Sequence, residues 1–384
     1  MTSRWSQLDK TLCLITFFLM GLGLVQVYSS SFVHATENLG DGLYLFKRQF
    51  LFSMLGASVM LGVALTDWKN VKVLGLLLWF VAIVGLLLTL YSHFSIKAGG
   101  ASRWVSLPFG LRFEPSELLK ICYPFILATV VAKSFSKMRT WQKVTISLVL
   151  LMPLLLLMKQ PDFGSIVIIV AMALGVLFVF GLPLRWLSLF TVTSGLAMVA
   201  LIFTSEYRMN RIRVFLDPWA DPSNSGFQVI QSMLTFHSGK LWGRGLGQGQ
   251  GKLFFLPEAH TDFTLATFAE EMGFIGFAVL VLIYFLLVYR GMRIAALCKK
   301  PFEKAVALGI TLVLFFNIAI NIGVVLGVLP TKGLTLPFMS YGGSSLVTMC
   351  MAVGILLCID RSQKSEYGSG SKDHKAMRTS FYRL

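Results

Sequence analysis

Charge is scarce in this chain: 14% of its 384 residues are Asp, Glu, Lys or Arg, against about a quarter in a typical soluble domain. With 55% hydrophobic residues, that scarcity excludes both an ordinary water-soluble globule and a disordered chain. Acids are the rarer sign, 18 Asp and Glu against 34 Lys and Arg. Cysteine is sparse as well: Cys13, Cys122, Cys350 and Cys358 fall in apolar runs and Cys298 in a basic stretch, so no disulfide framework is expected. Of only twelve prolines, Pro124, Pro153 and Pro183 lie in or beside apolar runs, where each can kink or end a helix whose neighbours resatisfy the backbone.

What is abundant is long apolar sequence, with a mean hydropathy of +0.73. Windows of roughly 19 apolar residues, enough to cross about 30 Å of hydrocarbon, recur ten times. They predict spans near 11–31, 49–66, 71–91, 116–133, 142–158, 164–180, 184–204, 268–290, 305–328 and 343–359. The expectation is an all-α polytopic membrane protein with about ten transmembrane helices and one large extracytoplasmic loop between spans seven and eight. Residues 1–360 form a single integral membrane domain, and the polar stretch 361–384 reads as an unstructured cytoplasmic tail. Arg4 and Lys10 precede the first apolar run, whose length suits an uncleaved signal anchor better than a signal peptide.

Orientation follows from the basic residues. With the amino terminus inside, Lys133, Lys137, Arg139 and Lys143 fill one cytoplasmic loop, and Arg290, Arg293, Lys299, Lys300 and Lys304 another. Both termini are then cytoplasmic. The basic excess reports topology and contact with anionic membrane lipid, which removes the case for nucleic acid.

The outward-facing segments hold the chemistry. Ala101-Ser102-Arg103-Trp104 leads to Glu114-Pro115-Ser116-Glu117-Leu118-Leu119-Lys120 at the mouth of the fourth span. Glu117 and Lys120 stand three apart, on one helix face, where they can pair with each other or serve a substrate. Lys159-Gln160-Pro161-Asp162-Phe163-Gly164 places a second acid–base pair at a similar depth. The loop from Ser205 to His260 carries Arg208, Arg211 and Arg213, which suit an anionic ligand or lipid headgroups equally. Phe227, Ile230, Met233, Leu234 and His237 recur at helical spacing.

Gly243-Arg244-Gly245-Leu246-Gly247-Gln248-Gly249-Gln250-Gly251-Lys252 resembles a nucleotide loop only superficially, lacking the flanking strand and helix. Its exposed N–H groups can cradle phosphate oxygens, or it is a flexible linker. Next comes Leu256-Pro257-Glu258-Ala259-His260-Thr261-Asp262-Phe263, an ionisable cluster at the mouth of the eighth span. Such a cluster points to a functional site centred on Asp262, with capping of the following helix as the plain alternative. Beyond the ninth span, residues 329–345 hold two prolines and three glycines, a broken or re-entrant segment that brings Lys332 to a wet cavity.

These motifs together resemble the SEDS family (shape, elongation, division and sporulation), nearest to its cell-division branch with the elongation branch second. The resemblance rests on Pro-Glu-Ala-His-Thr-Asp-Phe at 257–263, Pro-Thr-Lys-Gly-Leu-Thr-Leu-Pro-Phe at 330–338 and Ser-Tyr-Gly-Gly-Ser-Ser at 340–345. Arg103-Trp104, Pro115-Ser116-Glu117 with Lys120, Gln160 to Gly164, and Gly245-Leu246-Gly247 with Lys252 extend it over nearly the whole chain. Gln248 and Gly249 depart from it, standing where the family commonly has Asn and Ser.

Membership implies a peptidoglycan glycosyltransferase polymerising lipid II at the outer face of the bacterial cytoplasmic (inner) membrane, at the division septum. Asp262 matches the catalytic aspartate and serves as general base toward an acceptor hydroxyl. Arg103, Lys120, Lys252 and Lys332 are candidates to bind the donor pyrophosphate, with Glu117, Glu258 and His260 as further substrate contacts. A divalent cation, Mg2+ or Mn2+, bridging the pyrophosphate is compatible with this chemistry, although no ligand spacing marks a fixed metal site. The family also implies a class B penicillin-binding protein and other division proteins as partners. Small residues Gly309, Gly323 and Gly327 and the face of Phe227, Ile230 and Leu234 are candidate contact surfaces. A lipid II flippase is the rival class, but its charges should line the midplane and here they gather at the outer mouth.

Overall fold

The computed structural model describes residues 7–93, 95–98, 101–133, 139–203, 206–224, 226–251, 256 and 259–381. Its helices are α1 (Lys10–Leu39), α2 (Tyr44–Leu65), α3 (Trp68–Tyr91), α4 (Pro115–Lys133), α5 (Thr140–Lys159) and α6 (Phe163–Val179). They continue with α7 (Leu184–Phe203), α8 (Glu206–Leu216), α9 (Phe227–Ser238), α10 (Thr264–Leu297), α11 (Pro301–Val325) and α12 (Gly343–Phe381). Each predicted span overlaps a helix, and the ninth, 305–328, runs past the end of α11 at Val325. Among the described residues eight helices are long and apolar enough to cross a membrane, and α6 is apolar but shorter. The chain is a multi-pass, essentially all-α membrane protein, as hydrocarbon demands of a backbone that must satisfy its own polar groups.

Helix boundaries have local causes. The Asp9 carboxylate accepts the Leu12 N–H at 3.1 Å to start α1, and Gly40 ends that helix at φ 72. Asp162 caps α6 by accepting the Ser165 N–H at 3.2 Å. At the same end of the bundle, Arg290 of α10 donates twice to the Asp9 carboxylate, at 3.0 and 2.5 Å. Lys364 of α12 holds Asp360 at 2.6 Å and the Gln7 carbonyl at 3.0 Å, so α1, α10 and α12 are tied together there.

The structure departs from the sequence reading in three places. A three-stranded antiparallel sheet forms before α4, with β1 (Ser95–Ala98), β2 (Ala101–Leu107) and β3 (Leu111–Phe113) in that spatial order. Trp104 pairs with Ile96 and Val105 with Phe113 across the sheet, and Gly110 turns the chain at φ 68. Second, α12 continues as helix to Phe381, through the stretch read as an unstructured tail.

Third, the ninth-span glycines are no docking stripe. An added Cβ at Gly309 would meet Pro124 at 2.8 Å and Met172 at 3.4 Å; at Gly323 it would meet Leu329, and at Gly327 Met233. Gly309 lets α11 pack against α4 and α6, Gly323 faces the connection that follows α11, and Gly327 faces α9. On α9, likewise, Ile230 is buried while Leu234 is exposed, so the face shared by Phe227, Ile230 and Leu234 is divided between the interior and solvent.

Candidate functional site

The connection between α11 and α12, residues 326–342, has no helix or strand and is largely buried from Leu334 to Ser340. Its backbone groups therefore need partners from elsewhere. Tyr284 of α10 donates its hydroxyl to the Pro337 carbonyl at 2.6 Å, and Gln49 of α2 donates to the Ser340 carbonyl at 3.2 Å. Asn321 of α11 donates to the Leu334 carbonyl at 2.7 Å and to the Asp262 carbonyl at 3.2 Å. Gly23 of α1 lies so close that a Cβ there would meet the Phe338 carbonyl oxygen at 2.3 Å. This is the broken segment expected from its prolines and glycines, held by three polar side chains that no sequence motif singled out.

Asp262 sits against this connection. The N-cap of α10 is Phe263, which makes no side-chain cap bond, one residue past Asp262. The Asp262 carboxylate approaches Gly333, where an added Cβ would lie 3.2 Å from Oδ2. A cavity of about 30 Å³ joins Asp262 to Lys332, Arg211, Gln228 and Asn321. Arg211 of α8 is fixed by donating to the Thr331 carbonyl at 2.7 Å. Burial holds the Lys332 ammonium below the usual lysine range; Asp162 opposes that shift and Arg211 adds to it. One carboxylate and two cations thus converge, from positions more than fifty residues apart in sequence.

The other predicted residues stand elsewhere. Lys120 is wholly buried and donates to Glu117 at 2.8 Å and to Asn317 at 3.2 Å, so the two partners pair with each other inside the bundle. Arg103 donates to the Pro161 carbonyl at 2.9 Å. His260 lies in a row of rings, with His34 at 5.3 Å and Tyr341 at 5.9 Å between centroids. None of these four lines the Asp262 cavity. Lys252 and Glu258 lie outside the described residues.

Electrostatics nevertheless link the two groups. Glu114 is pushed up to about 8, first by removal from water and then by the Glu117 and Asp162 carboxylates, while Lys120 and Arg103 pull it down. Asp162 also acts on Lys332. Glu114 thus couples electrostatically to Arg103, Glu117, Lys120 and Asp162, and Asp162 in turn to Lys332. Glu114 appears in the sequence motif, yet nothing in the sequence singled it out.

The glycine-rich loop is neither a linker nor an open cradle. Its N–H groups at Gln250 and Gly251 donate to the Glu270 carboxylate, each at 3.0 Å, and Ser238 adds its hydroxyl at 3.0 Å. An internal carboxylate occupies the positions a phosphate would have taken. Glu270, and Glu271 beside it, escaped the sequence reading because they sit inside an apolar helix with no motif around them.

Among the described residues no group of three or more His, Cys, Asp or Glu side chains is placed to hold a metal ion.

Residues 10–365 match the family described as cell cycle protein, comprising FtsW, RodA and SpoVE. The chain is 40% identical to the probable peptidoglycan glycosyltransferase FtsW of Trichlorobacter lovleyi, over 94% of this chain and 95% of that protein. A chain of a peptidoglycan synthase complex, solved for its structural coordination of polymerization and crosslinking, superposes with a TM-score of 0.75 at 29% identity. That match covers 93% of this chain and 98% of the other. The rod shape determining protein RodA of Thermus thermophilus gives a TM-score of 0.68 at 26% identity, covering 93% and 97%. A match of this extent, which takes in every residue of the Asp262 cavity, means that the chain belongs to the FtsW/RodA/SpoVE family of membrane proteins.

Proposed function

We propose that this protein polymerises lipid II into glycan strands at the outer face of the bacterial inner membrane, with Asp262 as general base. The observation that carries this reading is the meeting of Asp262 with Lys332 and Arg211 in one cavity. Family membership, with relatives named as peptidoglycan glycosyltransferases, makes the chain a glycosyltransferase.

In the reaction the 4-hydroxyl of an acceptor sugar attacks the anomeric carbon of the donor. The new glycosidic C–O bond forms as the bond to the pyrophosphate oxygen breaks, and the hydroxyl proton passes to the Asp262 carboxylate. Pyrophosphate leaves as a stable anion, so a second carboxylic acid is not needed, in contrast to glycoside hydrolysis. Lys332 and Arg211 supply positive charge where negative charge develops on the leaving group; Lys acts as a point charge and Arg as a planar fork. Arg103, with Lys252, Glu258 and His260, is assigned to the approach of the substrate rather than to the reacting bond, and the buried Glu117–Lys120 pair, with Asn317, to holding α4 against α11. A divalent cation, Mg2+ or Mn2+, would be carried in with the pyrophosphate and would neutralise its charge.

The cavity of about 30 Å³ has room for a water or two, not a sugar. Substrate entry therefore requires the 331–334 chain or α8 to yield. Polymer made this way needs crosslinking, and a class B penicillin-binding protein is the proposed partner; the synthase complex that resembles this chain couples the same two activities. The resemblance to FtsW favours action at the division septum.

Asp262→Asn tests the assignment, since the amide keeps the shape and loses the basic lone pair. Glycan synthesis from lipid II should fall about 10²–10⁴-fold at unchanged protein abundance. Near wild-type polymerisation by that variant would refute the general base.

A further inference from the structure

The chemistry above leaves unused a buried carboxylate eight residues past Asp262 on the same polypeptide. Glu270 is 2% exposed and lies in the opening turns of α10. In an unbroken helix, the N–H groups of Phe274 and Ile275 would bond the carbonyls of Glu270 and Glu271. Gly273, at φ 70 and ψ −176, breaks both rungs.

The glycine loop restores them. Arg244 and Gly245 donate their N–H groups to the Glu270 and Glu271 carbonyls, both at 3.0 Å. Phe274 and Ile275 donate instead to the Lys240 and Leu241 carbonyls, at 2.8 and 3.2 Å. All four backbone groups released by the kink thus find partners in one short stretch of loop, which is spliced into the helix. Only glycine fits at the splice: a Cβ on Gly243 would meet the Glu271 carbonyl oxygen at 2.2 Å, and one on Gly273 the Gly243 nitrogen at 2.3 Å.

The Glu270 side chain fixes the far end of the same loop through Gln250, Gly251 and Ser238, with Arg244 at 3.8 Å. A single residue therefore holds both ends of the loop, one with its carbonyl and one with its carboxylate. On the opposite side, α1 grips the same helical stretch: Gln26 donates to Thr267 at 3.1 Å and Ser29 to Glu271 at 2.6 Å. Residues 264–272 form a short rigid piece between the kink and Asp262, clamped from both flanks.

We propose that Glu270 is a positioning residue for glycan polymerisation: it locks residues 264–272 against the glycine loop and so holds Asp262 opposite Lys332. This rests on the reading of Asp262 as the base. A reacting group misplaced by about 1 Å loses on the order of 10²-fold in rate. Because the displaced group acts in bond formation and not in ground-state binding, the loss falls on kcat and spares KM.

The test uses the full-length protein with its crosslinking partner in lipid vesicles, lipid II as substrate, and Glu270→Gln. Gln keeps one acceptor oxygen but turns an N–H toward the Gly251 N–H, opening the latch at one point. The expected result is a kcat lower by about 10–100-fold, a KM within about threefold of wild type, and faster amide hydrogen exchange at Gln250 and Gly251. Wild-type kcat with faster exchange would overturn the proposal, leaving Glu270 a fold anchor only. A raised KM at constant kcat would overturn it too, as would lost kcat with unchanged exchange. Asp262→Asn assayed alongside separates the two ideas: activity surviving there refutes the base, whatever Glu270→Gln does. If Glu270→Gln does not accumulate, Ser238→Ala removes one of three donors to the carboxylate. It should lower kcat about threefold at constant KM, and an unchanged kcat would again overturn the proposal.

Discussion

Two carboxylates near the cavity illustrate how environment, and not residue type, assigns a role. Asp262 is half-buried and shares its cavity with Lys332 and Arg211. Glu114, beside Glu117 and Asp162, is pushed up to about 8 and holds its proton there. The folded protein then binds a proton that the unfolded chain releases near pH 4.5. Its stability falls as pH rises from that value through about 8, because the folded state carries the excess proton. Glu114→Gln should flatten this decline. Thermal unfolding at pH 6 and pH 8.5 checks it: the difference in Tm between the two should shrink in the variant, and an equal or larger difference would show that Glu114 is not the group responsible. Solvent access at this half-buried residue keeps the effect below that of full burial.

At the scale of elements, the connection between α11 and α12 is the most demanding part of the fold. An irregular chain buried in a bundle leaves carbonyls that neither helix nor water can satisfy, and here Tyr284, Gln49 and Asn321 satisfy them. Tyr284→Phe leaves the ring and removes the donor to Pro337. We expect about 1–3 kcal/mol of destabilisation, the usual penalty of an orphaned buried acceptor, read as an earlier unfolding midpoint in detergent. An unchanged midpoint would mean that water replaces the hydroxyl. None of these three residues was legible in the sequence. Each looks like one polar side chain in an apolar helix, and its partner is a backbone carbonyl up to nearly three hundred residues away.

At the scale of the molecule, sidedness is the property that every assignment above depends on. The outer loop carries Trp242, 82% exposed, whereas four of the five native cysteines are buried and Cys13 is half-buried. Trp242→Cys should therefore label strongly with a membrane-impermeant maleimide added to intact cells stripped to the inner membrane, over a low background from the native thiols. Labelling only after the membrane is opened would invert the topology and move the Asp262 cavity to the cytoplasm.

The helices were determined by sequence alone, because hydrocarbon accepts only long apolar helices. Asp262 and Lys332 were also readable, since an ionisable group beside a span is costly enough to stand out. Tertiary structure decided what meets what. It set Arg211 and Lys332 against Asp262, paired Lys120 with Glu117 away from the cavity, and turned Gly309 inward onto Pro124 and Met172. It also closed the glycine loop on Glu270. Burial in a membrane strongly constrains residue type along each span, whereas pairing among helices depends on side-chain shape and on single hydrogen bonds between distant residues, and neither leaves a local pattern in the sequence.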